Sequence, residues 1–489
     1  MLALALAASI GSPAANVRSW APGDIVPTTA SLPTMELALR QPTLAGTQYV
    51  IHIHLNAKDT ALETTALVRG GDFRLTTTID GSTYESGRAD GVRWRRTPAG
   101  VVRIVDADVQ GDDLDRWPSS VLGFDLSDCA AAGQAREEGR LLWILSCHTP
   151  ADIPHWYYID STAGTIVREV TREGSRAVTY RFAGIASRAG RLFPARWDIS
   201  GAGGDAEASI LDISQMPVSR DDVAIPPSVS AQFVLPAAGT ADVSATFSQA
   251  SIYAPVRVNG RAMRFRIDTG TTQTLMDIGA AVRLGLHPVL GHAIANTIEV
   301  GGAIARDAPI QTVDLFGGGD AGILGNEFFT GHIVHIDYRH QQMQLISYAR
   351  FVPPSDARSI PLDMREGMPL ATASIGSLTA GRFAIDTGSY WIVVTTNFQQ
   401  LAGASVHLSA DGPALTSTYL EGSVKLSDGT IESLSFGGVR VNGPEAQIEI
   451  ADPNNLDIPL NGIFGNQLLH VFEWWFDYDH DRAWIRFAP

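Results

Sequence analysis

The sequence predicts a mainly β protein built from two parts of different kinds. Between residues 41 and 230, runs that alternate apolar and polar residues are separated by short turns at regular intervals, as in antiparallel β-strands. Residues 246–489 instead contain an internal repeat, in which the same order of strand-like runs and loops occurs twice. Hydrophobic residues make up 45% of the 489 residues, which is enough apolar material for a buried core in each part.

The first part, residues 41–230, is predicted to be an antiparallel β-rich domain. Residues 49–55 alternate at period two, and the turn at 160–164 separates two further strand-like runs. A ladder of hairpins must curl or close to protect its edge strands, so we expect an open-barrel-like sheet. The pattern loosely resembles the open β-barrel of periplasmic lipoprotein carriers, which makes lipid carriage one alternative function.

Each copy of the internal repeat contains the tripeptide Asp-Thr-Gly after a strand-like run. The first copy is Asp268-Thr269-Gly270 followed by Thr271, and the second is Asp386-Thr387-Gly388 followed by Ser389. An apolar-polar-apolar run that ends in this tripeptide places a carboxylate at the end of a half-buried strand. Glycine then allows a backbone turn that a residue with a Cβ atom resists.

A second matched block follows each tripeptide. Residues 321–329 and 461–469 share the frame Gly-apolar-apolar-Gly-Asn-acid/amide-apolar-apolar, and each is followed by an aromatic-rich strand. Two unrelated Asp-Thr-Gly turns would not explain this second match. With both blocks, residues 246–489 are similar to the retropepsin-type aspartic protease family, with two lobes, 246–352 and 353–489, fused in one chain.

The resemblance implies an aspartic endopeptidase in which Asp268 and Asp386 are the catalytic pair. Two facing carboxyl groups that share one proton can activate a water molecule and protonate a scissile carbonyl, so the chemistry needs no cofactor and no metal. Which aspartate carries the proton is left open. The family pattern gives Thr269 and Thr387 hydrogen bonds that lock the two loops together, and it makes Gly270, Thr271, Gly388 and Ser389 supports of the active-site loops.

The two copies differ after the helix that follows each tripeptide, where the second copy has a longer insert. Residues 415–424 alternate and contain a glycine, as a mobile β-hairpin would. We therefore expect a single flap over the cleft, supplied by lobe two, with Tyr419 and Gly422 as candidate substrate-binding residues. An ordinary solvent-exposed hairpin is the alternative. Tyr390 and Trp391, which are bulkier than the matching Thr272 and Gln273, line a specificity pocket or pack inside the lobe.

The N-terminal segment indicates export to the periplasm or out of the cell. Residues 1–17 form a short apolar run followed by small residues, which resembles a secretory signal peptide; a loosely packed apolar N-terminus is the alternative. An exported chain with two cysteines favours a disulfide between Cys129 and Cys147, and two buried free thiols are the other possibility. Residues 18–40 and 231–245 are predicted linkers. No run is apolar for long enough to predict a transmembrane helix.

The charge excludes some partners. A net charge of −16 argues against nucleic acid and anionic membranes as partners. The partner that the family resemblance implies is a peptide or protein substrate. His52 and His54 share a strand face, where a polar outward face is favoured over a metal site; His332 and His335 point to opposite faces. Two lobes in one chain favour a monomer. The rival hypothesis is a catalytically silent periplasmic protein that binds peptide or lipid on the same scaffold.

Overall fold

The computed structural model describes most of the chain in separate ranges. They are residues 22–26, 48–57, 60–70, 72–79, 82–105, 129–148, 154–173, 176–188, 191–200, 206–228, 233–288, 291–314, 320–364, 367–409, 415–419, 422–450 and 460–488. Strands dominate these residues and the helices are short, so the predicted mainly β class is confirmed. The predicted signal segment, residues 1–17, lies outside the described residues.

The N-terminal domain is one antiparallel sheet of thirteen described strands. They are β1 (Gln48–Ala57), β2 (Thr60–Arg69), β3 (Asp72–Ile79), β4 (Ser82–Ala89), β5 (Val92–Arg96), β6 (Val102–Val105), β7 (Ala130–Glu137), β8 (Arg140–His148), β9 (Pro154–Asp160), β10 (Ile166–Glu173), β11 (Arg176–Arg188), β12 (Arg191–Ser200) and β13 (Ala206–Gln215).

The strand order of this sheet shows how the meander is laid out. Strands β1 to β6 run outward in one direction, β7 to β13 run inward from the other, and β13 pairs with β1 in the middle. Its buried apolar side chains form clusters separate from the core of the remaining chain, the largest around Trp197, Ile53 and Val68. Ser219 caps the N-terminus of helix α1 (Arg220–Val223) in a capping box. Val223 of this helix packs against Val50.

Lobe one follows as a closed barrel. Its elements are β14 (Thr240–Val243), β15 (Thr246–Phe247), β16 (Ile252–Val258), β17 (Arg261–Ile267), β18 (Leu275–Asp277), α2 (Ile278–Arg283), β19 (His292–Val300), β20 (Ala303–Val313), β21 (Gly322–Leu324), α3 (Asn326–Phe329), β22 (Ile333–Asp337) and β23 (Gln342–Ile346). The order β16-β17-β21-β18-β20-β19 closes on itself because β19 also pairs with β16.

Lobe two repeats this plan with additional strands. Its elements are β24 (Arg358–Pro361), β25 (Leu370–Ile375), β26 (Leu378–Ile385), β27 (Ile392–Val394), α4 (Thr396–Ala402), a 3-10 turn (Gly403–Ser405), β28 (Val406–Leu408), β29 (Leu415–Tyr419), β30 (Gly422–Ile431), β31 (Ser433–Phe436), β32 (Val439–Asn442), β33 (Glu445–Glu449), β34 (Gly462–Phe464), α5 (Asn466–Leu469), β35 (Phe472–Asp477), a second 3-10 turn (Tyr478–His480) and β36 (Arg482–Phe487).

The lobes are joined by a six-stranded sheet to which both contribute. Its order is β14-β23-β22-β35-β36-β24, and the central pairing places Val334 of lobe one opposite Phe476 of lobe two. A single cluster of buried apolar residues extends from Val243 in lobe one to Ile485 in lobe two. Burial on this scale makes the two lobes one folding unit, since neither has a complete core without the other.

Both predicted linkers carry more structure than expected. Strand β14 lies inside the predicted linker 231–245 and is one edge strand of the shared sheet, whose other edge strand is β24 at the start of lobe two. Within the predicted linker 18–40, Val26 forms a bridge to Gln134 of β7. In the described parts of the chain, no helix is both long enough and apolar enough to span a membrane.

Candidate active site

The two Asp-Thr-Gly turns are held at equivalent places by the matched blocks that follow them. Strand β21 lies parallel to β17, and β34 lies parallel to β26. The backbone amide of Asp268 donates to the carbonyl of Leu324 at 3.0 Å, and that of Asp386 donates to Phe464 at 3.0 Å. The downstream block is therefore a structural partner of the tripeptide, because it fixes where each carboxylate emerges from its strand.

The two turns are bonded to each other through their threonines. The backbone amide of Thr387 donates to Thr269 Oγ1 at 2.9 Å, and the backbone amide of Thr269 donates to Thr387 Oγ1 at 3.1 Å. Each hydroxyl also donates across the interface, Thr269 to the carbonyl of Ile385 at 2.6 Å and Thr387 to that of Ile267 at 2.9 Å. Both threonines are fully buried, so these bonds are shielded from water.

The carboxyl groups of Asp268 and Asp386 lie across the interface, each against the glycine of the other turn. Each Oδ1 accepts the amide of the glycine two residues on, at 2.8 Å in both copies. A Cβ atom at Gly270 would lie 2.6 Å from Asp386 Cγ, and one at Gly388 would overlap the Asp268 carboxyl. The absence of a side chain at both glycines is what lets the two carboxyl groups approach.

The electrostatics of the pair follow from this approach. Burial raises the pKa of Asp386 well above its usual range, and the negative charge of Asp268 and a hydrogen bond to it raise that pKa further. The amides of Gly388 and Ser389 act in the opposite sense, because they stabilise the ionised form. Two carboxyl groups in this arrangement hold one proton between them rather than ionising together.

Thr271 and Ser389 support the loops through their backbone carbonyls. The amide of Asn326 donates to Thr271 at 2.9 Å, and the amide of Asn466 donates to Ser389 at 2.8 Å. The side chain of Asn466 donates again to Ser389, at 3.0 Å, and to the carbonyl of Ala250 in the other lobe at 2.9 Å. The asparagine shared by the two blocks therefore links each loop to its helix and to the neighbouring lobe.

A flap-like hairpin is present in lobe two. Strands β29 and β30 pair in antiparallel fashion, with Tyr419 opposite Gly422, so residues 420–421 connect them. Strand β30 continues into the lobe, where it pairs with β33 and β28. In lobe one, the described residues between α2 and β19 contain no strand. The described backbone of lobe one therefore shows no strand pair at the place that β29 and β30 occupy in lobe two.

Comparison with known proteins leaves the retropepsin resemblance a prediction. No protein-family model matches the chain, and no curated protein matches it. Among solved structures, the chain is similar to the crystal structure of a LolA superfamily protein from Nitrosomonas europaea. That similarity has 12% sequence identity and a TM-score of 0.31, and it covers 38% of this chain and 92% of the other.

The structure adds residues that the sequence analysis did not single out. Glu327 Oε2 accepts the amide of Thr274 at 2.7 Å, and Gln467 Oε1 accepts the amide of Ile392 at 3.0 Å, which is the same bond in each copy. The sequence signal that could have identified Glu327 and Gln467 is the acid/amide position that the two repeated blocks share. Burial raises the pKa of Glu327 to about 7.

Two tyrosines beside the pair were also missed. The hydroxyl of Tyr338 donates to Asn466 Oδ1 at 2.7 Å. Burial raises the pKa of Tyr478 well above its usual range, and the charges of Asp268 and Asp386 add to the shift. Tyr338 follows Asp337 in the first copy and Tyr478 follows Asp477 in the second, so the internal repeat could have identified both tyrosines.

The remaining candidate residues have local roles. Trp391 is 36% exposed and its ring meets that of Tyr390 edge-on at 4.7 Å, so Trp391 reaches solvent rather than the lobe core. Cys129 and Cys147 form a disulfide. His54 Nδ1 is hydrogen-bonded to the carboxylate oxygen Oε1 of Glu63 at 2.7 Å. Burial lowers the pKa of His332 to about 4. Within the described ranges, no cluster of three or more metal-ligating side chains occurs.

Proposed function

We propose that the protein is an aspartic endopeptidase that hydrolyses peptide bonds with a water molecule activated between Asp268 and Asp386. The observation that carries the proposal is the reciprocal bonding of Thr269 and Thr387, which fixes the carboxyl groups of the buried Asp268 and the partly buried Asp386 against each other from separate lobes. An arrangement that brings like charges together costs stability, and such a cost is typical of a catalytic pair.

The chemistry follows from one shared proton. The ionised carboxylate takes a proton from water, which attacks the scissile carbonyl carbon, and the protonated carboxyl donates to the carbonyl oxygen. Because burial and Asp268 both raise the pKa of Asp386, this carboxyl keeps its proton to a higher pH than an exposed aspartate does. Deprotonation of the pair at higher pH removes the general acid, so the rate falls as pH rises.

The β29–β30 hairpin is the proposed flap. It is the strand pair that has no counterpart among the described residues of lobe one, and closure of a hairpin over a cleft excludes water from the reaction. In this proposal Tyr419 and Gly422, which face each other at the end of the hairpin, contact the substrate from the lobe-two side only.

The proposal is tested with a diverse peptide library, incubated with the full chain across a range of acidic to neutral pH and analysed by mass spectrometry. Asp268→Asn and Asp386→Asn each remove one carboxyl at nearly constant shape, and each should lower the rate by about a thousandfold. Asp198→Asn, on the exposed face of β12, is the matched control and should cleave like the wild type.

Two outcomes would reject the proposal. Cleavage that persists in both active-site variants would mean that another site or a contaminant is responsible. A wild-type chain as inert as both variants at every pH would favour the rival function, a scaffold that binds peptide or lipid without cleaving it. The structural observation in favour of this rival is that the described part of lobe one has no flap strand pair.

We also propose that the protein acts outside the cytoplasm. The apolar segment at residues 1–17 and the Cys129–Cys147 disulfide support this, because disulfides persist in oxidising compartments. Separation of cell fractions, with the disulfide state read by thiol labelling, tests it. Reduced, full-length protein found only in the cytoplasm would contradict export.

A further inference from the structure

The N-terminal domain contacts lobe one close to the catalytic turns. The hydroxyl of Tyr84, on β4, is hydrogen-bonded to His292 Nδ1 at the start of β19, and the two ring centroids are 4.5 Å apart. At the edge of the same sheet, the amide of Val102 donates to Ser228 Oγ at 3.1 Å. Strand β6, which carries Arg103, is thereby tied to the segment of the N-terminal domain that leads into lobe one.

Arg103 reaches between the lobes. A Cβ atom at Gly367, in the segment that leads into lobe two, would lie 3.0 Å from Arg103 Nε and 3.3 Å from its Cδ. The same Cβ atom would lie 3.5 Å from Thr272 Cγ2, which belongs to the first catalytic turn of lobe one. Gly367 has a φ of 75°, and its carbonyl accepts Asn326 Nδ2 at 2.6 Å. Arg103 therefore lies against Gly367 of lobe two, beside a position that also borders Thr272 of lobe one.

The guanidinium is buried in acidic surroundings. Nη1 donates to the carbonyl of Val102 at 3.3 Å, while Nε and Nη2 are buried without a hydrogen-bond partner among the described residues. Burial lowers the pKa of Arg103, and the charges of Glu327, Asp479 and Asp481 oppose that shift. A cation among these carboxylates offsets repulsion that would otherwise act across the contact between the lobes.

We propose that Arg103 is a positioning residue of the active site, which crosses from the N-terminal domain to hold Thr272 and Gly367, and with them the two aspartate turns, in register. The effect on catalysis that we expect rests on the proposed function. The role of Arg103 in holding the two segments together does not depend on that function. It makes the N-terminal domain a permanent part of the catalytic unit rather than a cover that must be removed.

The internal repeat explains why lobe one needs this support. Four residues after the catalytic aspartate, lobe two has the large Tyr390 and lobe one has the small Thr272. Arg103 lies beside Gly367, at a position that also borders Thr272, and its charge favours the ionised form of Glu327, for which lobe two has the neutral Gln467.

The test uses the full chain with Arg103→Met, which keeps length and removes charge, and Arg103→Lys, which keeps charge. Arg196→Met is the matched control, because Arg196 is exposed on β12 and 3.6 Å from Glu207. On the peptide that the wild type cleaves fastest, Arg103→Met should lower kcat by about tenfold or more with KM changed by less than about twofold. Arg103→Lys should recover part of the loss, and Arg196→Met should match the wild type.

A second measurement does not depend on activity. Hydrogen exchange at the amides of Thr274 and Leu370 reports on the two segments that meet beside Arg103, and exchange should be about tenfold faster in Arg103→Met than in Arg196→Met. If the wild type cleaves no peptide, the proposed function fails and exchange alone decides this inference. Unchanged exchange, unchanged kcat in an active enzyme, or higher kcat after loss of the arginine would each overturn it.

Gly367→Ala serves if Arg103→Met does not fold. The added methyl group meets Arg103 and carries the backbone strain of a positive φ, whereas in an Arg103→Lys background the flexible lysine can move aside and mainly the strain remains. The loss of kcat or of exchange protection caused by Gly367→Ala should be smaller in that background. Equal losses in the two backgrounds would show that the two residues do not interact.

Discussion

Glu327 and Gln467 accept the same backbone hydrogen bond in the two lobes, but only Glu327 can ionise. Burial raises its pKa from 4.5 to about 7, so the folded state favours the protonated form. A carboxyl with a raised folded-state pKa stabilises the fold fully below 4.5, and that stabilisation is lost as pH rises to about 7.

Glu327→Gln should remove this pH dependence while keeping the bond to Thr274, as Gln467 does in lobe two. Relative to the variant, the wild type should lose about 3 kcal/mol of unfolding free energy between pH 4.5 and 7. Denaturant unfolding at several pH values measures the difference. Parallel pH profiles for the two proteins would contradict the burial of an ionisable group there.

The threonine bonds between the lobes should be required for stability. Thr269→Val keeps the shape but leaves the buried amide of Thr387 and the carbonyl of Ile385 unpaired, which should cost about 2 kcal/mol. Thr269→Ser keeps the hydroxyl and should lose much less. The midpoint of denaturant unfolding, at constant slope, is the measurement; equal midpoints for the valine and serine variants would mean that the hydroxyl is not the stabilising group.

The glycines opposite each carboxyl should be intolerant of a methyl group. Gly388→Ala places a Cβ atom on the Asp268 carboxyl, so the pair must separate and the rate should fall by about a hundredfold. Gly381→Ala is the control, because the nearest atom to its Cβ, Thr372 Oγ1, is 4.0 Å away. Initial rates on the same peptide compare them. Full activity in Gly388→Ala would rule out close approach of the two carboxyl groups during the reaction.

The disulfide should stabilise the N-terminal domain. Cys129 and Cys147 are separated by 18 residues, and closing a loop of that length contributes about 3 kcal/mol. Reduction should lower the unfolding temperature of the wild type and leave the double variant Cys129→Ala/Cys147→Ala unchanged. A reductant that shifts neither protein, or both equally, would contradict this role.

The parts of the structure that the sequence predicts are those fixed by local patterns. The Asp-Thr-Gly turns and the Gly-Asn blocks recur in order, so their mutual positions follow from a single repeat and from strand geometry. Residues 415–424 alternate around a glycine, and their pairing follows from that pattern. The mainly β class is predictable for the same reason, because period-two alternation extends over many short runs.

The parts that could not be predicted depend on contacts between distant segments. Strands β14 and β24 have four residues each and gain stability from the shared sheet rather than from their own composition. Arg103 lies in a short strand whose sequence carries no signal for a contact with Gly367. Glu327 occupies an acid/amide position whose burial becomes evident only when the block packs behind its loop.

The sheet shared by the lobes has a consequence for how the chain is made. Strand β22 pairs with β23 on one side and with β35 on the other, and β35 is translated only after most of lobe two. At ordinary translation speeds the β35 side of β22 stays unpaired on the ribosome for on the order of ten seconds. During that interval a neighbouring nascent chain offers the same β35 sequence, so exchange of strands between two copies competes with correct assembly of one.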